Sequence, residues 1–302
     1  MPGKEFLAAS DLNIIITAIL IGTFARIITL KEDFRQYPSY PNGYLIHLIT
    51  GFVSASLGSV ALPALLSKNF IAVTFLSLAI QQFRDVRKME KESLMDLEET
   101  EYTYRGKAYI DGIAKTFEAR NYFSLVVALV TSITIKIVPF KGWVGIIIGI
   151  AVGLLLLFLL VRISKGKTIG DIAQVKTGKI EVKGSELFVD GMFITNQLGS
   201  DQAQKLFKEE GMAVVITPNE NHFRINLENF GQRQAVLFEA TRTLGLKRYH
   251  FTRRDFENGK VVVALVPIKK DMDAFIEVVK KCPLLESVKK PNSVMKTNLK
   301  GR

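Results

Sequence analysis

Long apolar segments and short alternating segments occupy different halves of the chain. Nearly all the long apolar runs lie before Val161, whereas after Lys165 apolar and charged residues alternate on short periods. Long apolar runs are typical of membrane helices, and short alternating runs are typical of amphipathic strands and helices. The pattern therefore predicts a helical membrane bundle over residues 1–164, followed by a soluble α+β domain over residues 165–302.

Five apolar segments in the first half are predicted membrane spans. A helix needs about 20 apolar residues to cross the hydrocarbon core of a bilayer. The third segment is the shortest, so it either uses flanking glutamines to reach across or does not cross fully. The predicted spans cover residues 12–30, 46–66, 69–83, 122–138 and 143–161.

The loop charges predict an orientation for this bundle. The segment 84–121, predicted to be a cytoplasmic loop, carries eight Lys and Arg residues, whereas the turn after the second span carries only Lys68. Short loops rich in Lys and Arg stay in the cytoplasm. We therefore expect the C-terminal domain inside the cell and, because the span count is odd, the N-terminus outside. The basic residues predicted nearest to the anionic headgroups of the inner leaflet are Arg84, Arg87, Lys88, Arg162, Lys165 and Lys167.

Small residues repeat at intervals of four in two of the spans. This spacing places them on one helix face, where they let neighbouring backbones approach closely. Packing within one chain, packing between copies of a homo-oligomer and the lining of a pore all use such faces, and packing is the favoured interpretation. The residues are Gly51, Ala55 and Ser59 in the second span and Gly145, Gly149 and Gly153 in the last.

Ionisable residues inside the spans are few. Arg26 lies about one turn from the inner end of its span, so its side chain is expected to extend to the headgroups. His47 lies at a span end. The sequence therefore predicts no buried proton relay.

The C-terminal domain reads as a hairpin followed by a split-βαβ core. Alternation around turn residues predicts a hairpin over 179–194, and a helix is predicted from about Ser200 to Glu210. The run "AVVIT" predicts a strand. Strands and helices then follow in the order βαββαβ over 222–290, with the first strand at 222–227 and the last at 284–290, which is the order of a ferredoxin-like sandwich. Residues 291–302 are predicted to be a disordered tail. This half has 24 basic and 16 acidic residues, so it carries +8 of the chain's net charge of +11.

Motifs for catalysis, metal binding or nucleotide binding are incomplete. The three histidines, His47, His222 and His250, are scattered, and Cys282 is the single cysteine. A pairing of His222 with His250 across adjacent strands is the remaining metal alternative, and it is disfavoured because zinc sites need more ligands. The run "SKGKT" has Val161 where a phosphate-binding loop has its first glycine. We therefore predict no catalytic residue, no metal and no cofactor.

The segment before the fourth span has two distinct helix faces. Tyr109, Ile113 and Phe117 form an apolar stripe at intervals of four, while Asp111 stands four residues from both Lys107 and Lys115. Such a stripe suits docking against another helix of this chain or, as a less favoured alternative, a ligand. Asp111 alone cannot support metal-assisted catalysis, which needs several carboxylates.

The sequence "YIDGIA", formed by Tyr109, Ile110, Asp111, Gly112, Ile113 and Ala114, resembles the motif that names the YIEGIA family of bacterial membrane proteins. The segment 176–196 also resembles a segment of that family. The resemblance implies an N-terminal multi-span region followed by a soluble domain, in the bacterial cytoplasmic membrane. Because the family occurs mainly in endospore-forming bacteria, it also implies a role in sporulation or spore-envelope assembly. Asp111 stands where the family name has Glu, which shortens the side chain by one methylene.

Two function classes follow from these observations. The first is a non-enzymatic multi-pass membrane protein whose basic domain organises a protein partner at the inner leaflet. The second is a carrier or channel for a small solute or lipid, gated by the cytoplasmic domain. Binding of nucleic acid is disfavoured, because the basic half shows no aromatic platform or recognition helix beside its charge.

Overall fold

A computed structural model describes residues 9–33, 41–66, 70–140 and 142–288. The tail predicted over 291–302 lies outside the described residues. The chain divides into two compact units, neither of which is continuous in sequence. The first, here called the helical unit, contains the described residues up to Glu92 and those of Ile113–Lys165. The second, called the mixed unit, contains Ser93–Gly112 and the described residues from Gly166 onward.

Long helices account for the described part of the first half. Four of them contain segments that are long and apolar enough to cross a membrane, namely Leu12–Leu30, Tyr44–Leu66, Lys107–Ile137 and Trp143–Ser164. The helices are α1 (Ala9–Asp33), α2 (Pro41–Leu66), α3 (Phe70–Glu98), α4 (Lys107–Ile137) and α5 (Trp143–Ser164).

The predicted third span differs from the other four. Residues 70–83 form the start of α3, which continues through charged residues to Glu98 and is not among the four helices that meet the criteria for a span. The segment 84–121, predicted to be a loop, is mostly helical, since it comprises the end of α3, a turn and the start of α4. The count of five spans and the orientation derived from it stay predictions.

Close approach between helices of the helical unit depends on small residues. A methyl group at Gly58 would collide with the Leu125 carbonyl of α4, and one at Gly22 would lie 2.7 Å from the Ser124 carbonyl oxygen. Both glycines therefore lie where backbones touch. Ala55 is buried in a cluster with Ala18 and Ala128.

The glycines of α5 face α4 in the same way. A side chain at Gly149 would meet Ile135, and one at Gly153 would meet Thr131, both of which belong to α4. One at Gly145 would meet the Phe140 carbonyl before the helix begins. In α2, Ser59 is buried and Gly51 lies against the side chain of Arg26. Of the small residues singled out from the sequence, Gly51, Ala55, Gly149 and Gly153 lie against residues of another helix.

The core of the mixed unit is a four-stranded antiparallel sheet in the order β1-β5-β7-β6. The two central strands consist almost entirely of buried apolar residues, because helices cover the sheet. A separate antiparallel sheet in the order β2-β3-β4 is formed by the segment predicted to be a hairpin, with a third strand added. The strands are β1 (Ala173–Thr177), β2 (Ile180–Lys183), β3 (Glu186–Val189), β4 (Met192–Thr195), β5 (Met212–Pro218), β6 (His250–Arg254) and β7 (Val261–Leu265).

Three helices of the mixed unit, α7, α9 and α10, begin at side-chain caps. Ser200 accepts a hydrogen bond from the Ala203 amide at the start of α7, and Asp271 accepts one from Ala274 at the start of α10. Asn229 caps α9 through the Gln232 amide. The helices are α6 (Ile169–Ile172), α7 (Asp201–Glu210), α8 (Arg224–Glu228), α9 (Phe230–Leu244) and α10 (Met272–Lys281).

Two predicted strands of the split-βαβ core are wrong. Residues 222–227 form a 3₁₀ turn followed by α8, and within 284–290 the residues Glu286–Val288 form another 3₁₀ turn. The edge of the sheet beside β5 is instead occupied by β1. The disfavoured alternative, a pairing of His222 with His250 across adjacent strands, is not formed, because His222 lies in a 3₁₀ turn and not on a strand.

Candidate functional site: the motif segment and helix α9

The turn between α3 and α4 is held by its own side chains. Glu98 accepts a hydrogen bond from the Gly106 amide at 2.7 Å, and Arg105 lies 3.2 Å from the Glu101 carboxylate. Gly106 has φ of +86°, a conformation that glycine adopts without strain. These contacts shape the segment Ser93–Gly112, which we call the strap, and which belongs to the mixed unit.

Helix α9 is buried more completely than a surface helix. It packs against β6, β7 and α10, and the strap covers further residues along it. Its polar residues need partners because they are withdrawn from water. The buried residues are Gln232, Ala235, Val236, Leu237, Phe238, Glu239, Ala240, Thr241 and Leu244.

The tyrosine of the motif bonds to the carboxylate of α9. The Tyr109 hydroxyl donates to Glu239 Oε1 at 2.5 Å, and Arg242 lies 2.9 Å from Glu239 Oε2. Tyr109 is 4% exposed and Glu239 is 8% exposed. The Tyr109 ring also meets Phe238 edge to face, with 6.4 Å between centroids. A buried carboxylate is thereby supplied with a hydroxyl donor and a cation.

Two further strap residues contact α9 close to this pair. The hydroxyls of Thr103 and Thr241 are 2.6 Å apart. The guanidinium of Arg105 lies 4.7 Å from the centre of the Phe238 ring, which suits a cation–π contact. Because both strap residues are about 5% exposed, these contacts are internal to the mixed unit.

Cys282 lies near the other end of this polar cluster. The Gln232 side chain donates to the Pro283 carbonyl at 3.0 Å and accepts from the Leu285 amide at 2.9 Å. Burial and the Glu239 carboxylate both raise the pKa of the Cys282 thiol. The thiol therefore stays protonated near neutral pH, and its nucleophilicity is low.

The last two motif residues, Ile113 and Ala114, belong to the helical unit, as does Phe117 of the same stripe. Ile113, Ala114 and Phe117 are buried there, and the Phe117 ring lies 4.7 Å from the ring of His47. Ile110 is buried as well, in the mixed unit. The stripe that the sequence singled out for docking therefore contacts other parts of this same chain, and it is not on the surface.

Arg26 lies in this cluster, and the expectation that it extends to the headgroups is wrong. It is 0% exposed, with its guanidinium 5.0 Å from the Phe117 ring and its Nε donating to the His47 carbonyl at 3.3 Å. Gly51 makes room for it on α2. Burial raises the pKa of Glu90 on α3, and the charge of Arg26 partly opposes that shift.

Asp111 and Gly112 are the half-buried members of the motif. A methyl group at Gly112 would meet no atom within 4 Å. Both lie in one helix with Lys107 and Lys115. Among the described residues, no group of three His, Cys, Asp or Glu side chains is placed to hold a metal ion.

The basic residues predicted near the membrane are mostly on the surface. Arg84, Lys88, Arg162, Lys165 and Lys167 are exposed. Arg87 is the exception, since it pairs with Glu118 of α4 at 3.1 Å.

Comparison with known proteins relates this architecture to a family. The model of the family described as "YIEGIA protein" matches residues 14–295, which is most of the chain. The chain belongs to the YIEGIA family. A relative from Bacillus subtilis (strain 168), "Uncharacterized protein YphB", is 34% identical over 290 residues, which cover 93% of this chain and 95% of the relative. No solved structure matches the chain.

Within this YIEGIA chain, three residues of the two clusters were not found by sequence reasoning. Glu239 and Arg242 lie 130 or more positions from Tyr109, and no local pattern connects them to it. Arg26 was noticed as a charge in an apolar run, but its burial could not be read from its position. The signal available for it was the charge itself, because ionisable residues in spans commonly have a function.

Proposed function

We propose that this chain is a non-enzymatic multi-pass membrane protein that organises a protein partner at the inner leaflet of the bacterial cytoplasmic membrane. The proposal is supported by four membrane-length helices and by exposed basic residues that follow the apolar segments of α3 and α5. Each basic residue near an anionic leaflet gains about 1 kcal/mol. Membership of the YIEGIA family adds a proposed setting, sporulation or spore-envelope assembly.

The observation that carries the proposal is a boundary between apolar and basic residues that α3 and α4 share. The Phe83 ring of α3 meets the Tyr122 ring of α4 edge to face, with 5.9 Å between centroids. Apolar residues lie on one side of both aromatics, and Arg84 and Lys88 follow on the other side of Phe83. Aromatic residues beside Lys and Arg are typical of the membrane–water interface.

The lipid part of the proposal can be tested by exchanging five exposed cations for glutamine. The variant changes Arg84, Lys88, Arg162, Lys165 and Lys167, all exposed. Protein extracted with its surrounding lipid is analysed by mass spectrometry, and we expect its content of anionic lipid to fall at least twofold against the unmodified chain.

The matched control changes five other exposed cations, all of them lysines of the mixed unit: Lys176, Lys205, Lys208, Lys280 and Lys281. The control changes the net charge by the same amount. If the enrichment of anionic lipid falls equally in both variants, it depends on overall charge, and this result would contradict the proposed membrane boundary. Labelling of single cysteines on the two sides of the membrane tests the predicted orientation in the same preparations.

A partner is best sought from an exposed strap residue. Tyr102 is 89% exposed, whereas Tyr109 and Phe117 are buried. A photoreactive residue in place of Tyr102 should form one reproducible crosslink to another protein in cells. A photoreactive residue in place of Phe140, which is 60% exposed on the helical unit, is the control. Crosslinks from Tyr102 only to the chain itself would contradict the organising role.

The second candidate, a carrier or channel, is supported by one specific observation. Arg26 and the His47 ring are buried together in the helical unit, and intramembrane ionisable groups are functional candidates by default. The test is flux of ions and small anions into proteoliposomes, compared with Arg26→Gln. Flux that the substitution abolishes would support the carrier, while equal leakage from both would exclude it for those solutes.

We also infer that the sheet of the mixed unit is a permuted ferredoxin-like arrangement. Helix α9 joins β5 to β6, and β7 lies between them antiparallel to both, as in a split βαβ unit. The fourth position is taken by β1 from before the core. An experimental structure of the mixed unit would test this assignment.

A further inference from the structure

Two arginines and two phenylalanines form a surface on the mixed unit that the proposed function has not used. Phe230 is 73% exposed at the start of α9, and Phe256 is 67% exposed after β6. The guanidinium of Arg254 lies 4.5 Å from the Phe256 ring centre, and that of Arg233 lies 5.9 Å from the Phe230 ring centre. We call these four residues the arginine–phenylalanine patch.

The two halves of the patch are fixed to each other by Arg224. Its Nη2 donates to the Phe256 carbonyl at 2.6 Å, and its Nη1 donates to Asn221 at 3.3 Å. Gly259, with φ of +66°, lets the Arg224 side chain pass against the turn. The turn after β6 is therefore held beside α8 and the start of α9.

Like charges are held together in the patch. Among the described residues, no carboxylate lies within ion-pair distance of Arg233 or Arg254, and the Arg233 Nε is buried without a hydrogen-bond acceptor. Burial and the charge of Arg254 lower the pKa of Arg233, which Glu228 opposes. Bringing two cations together is unfavourable, and a bound anion would remove the penalty.

The acidic residues nearby are largely engaged. Glu228 lies 3.9 Å from Arg224. Asp255 accepts hydrogen bonds from the Glu257 amide and the Asn258 side chain, and it keeps the turn closed. Glu257 is exposed.

We propose that the arginine–phenylalanine patch binds the phosphate headgroups of an anionic bilayer, with both phenylalanine rings entering the interface. A guanidinium stacked on a ring keeps its N–H edge for a phosphate, and exposed phenylalanines beside cations suit an interfacial surface. The inference rests on the proposed function, since the four membrane-length helices keep a bilayer at high effective concentration. A bilayer is favoured over nucleic acid because two separate rings do not make a stacking platform.

The test places a fluorophore in the patch of the full chain. The chain has one tryptophan, Trp143, so Phe256→Trp is made together with Trp143→Phe. The protein is reconstituted in lipid nanodiscs of phosphatidylcholine, with or without phosphatidylglycerol. Lipids with brominated acyl chains serve as the quencher of tryptophan fluorescence. We expect a blue shift and at least twofold stronger quenching in the anionic discs, both weakened by salt.

Arg233→Gln and Arg254→Gln should each weaken the response to phosphatidylglycerol about fivefold. Arg248→Gln is the matched control, because Arg248 is exposed and stacks on Tyr249 at 5.4 Å outside the patch. It should leave the response unchanged, and equal loss in all three variants would overturn the proposal.

Three other results would also overturn it. If the emission of the tryptophan at position 256 is the same in neutral and anionic discs, the rings do not enter the interface. A response in neutral discs to inorganic phosphate would identify a soluble anion, and one to an oligonucleotide would identify nucleic acid. Lipid enrichment measured on the same samples separates the two ideas, since enrichment kept without a tryptophan response rejects the patch alone.

Discussion

The Tyr109 hydroxyl and the Glu239 carboxylate share a hydrogen bond of 2.5 Å, although 130 positions separate them in the chain. The first residue belongs to the motif and the second to the most buried helix of the mixed unit. Because both are almost fully buried, the pair connects the strap to α9 in an environment that water does not reach.

Tyr109→Phe should loosen the strap without unfolding the helices. The substitution leaves a buried carboxylate oxygen without its hydroxyl donor, a loss of about 1–3 kcal/mol. Hydrogen exchange of the strap amides should then be about tenfold faster or more. Tyr102→Phe, at a position that is 89% exposed, is the control. Equal exchange in both variants would show that the Tyr109 hydroxyl does not hold the strap.

A fragment of the mixed unit should need the strap in order to fold. Residues 166–302 alone would expose Phe238, Glu239 and Thr241 of α9, which the strap contacts in the full chain. We expect this fragment to bind a hydrophobic dye, and a fusion with Ser93–Gly112 to bind at least severalfold less. The fusion carrying Tyr109→Phe should give an intermediate signal. A well-folded fragment without the strap would contradict this prediction.

Two glycines should respond oppositely to alanine. At Gly58 a methyl group would collide with the Leu125 carbonyl, so Gly58→Ala should lower the thermal midpoint by several degrees, as overpacking costs about 1–3 kcal/mol. At Gly112 the methyl group would meet nothing within 4 Å, so Gly112→Ala should stabilise α4 by about 1 kcal/mol. If the Gly112→Ala variant is stable but the crosslink from position 102 to another protein is lost, the open space beside Gly112 is a contact site for that protein.

Acidification should destabilise the mixed unit through His250. Burial lowers the pKa of His250, so below pH 6.5 the unfolded chain binds a proton that the folded chain resists. Stability is therefore full above the unfolded pKa and is lost as the pH falls toward the folded pKa. The thermal midpoints at pH 7.5 and 5.5 should differ less in His250→Gln than in the unmodified chain. If the difference is the same in both, groups other than His250 cause the acid destabilisation.

The sequence was sufficient where a local pattern has one structural outcome. Ser200 before an amphipathic run predicted the start of α7, and the Ser200 cap is present with a 3.2 Å bond. The apolar run "AVVIT" predicted a strand, which is central β5. Four of the predicted spans coincide with helices of membrane length and apolar composition.

Short mixed segments were less decisive. The run 222–227 alternates like a strand, but six residues fit a helical turn as well, and the cap Asn229 begins a longer helix directly after it. The partner strand for β5 came from Ala173–Thr177 instead. Sheet neighbours depend on contacts distant in sequence, and a single sequence does not display them.

Only part of the candidate site could be predicted, because its other residues are distant in the sequence. Tyr109, Ile113 and Phe117 were identified by their interval of four, and they are buried. Their partners, Glu239 and Arg26, are ordinary charged residues until the fold withdraws them from water. Periodicity shows which face of a helix is covered, but the residues that cover it are set by tertiary structure.

Because the strap packs with the C-terminal half, the mixed unit is built from two separate segments of the chain. Both segments would have to be exchanged together between two family members. The chain passes between its two compact units after Glu92, after Gly112 and after Lys165. A chimera of two family members joined only after α5 would combine one parent's α9 with the other parent's Tyr109 and Thr103. Recombination that preserves function should therefore transfer Ser93–Gly112 together with the C-terminal half.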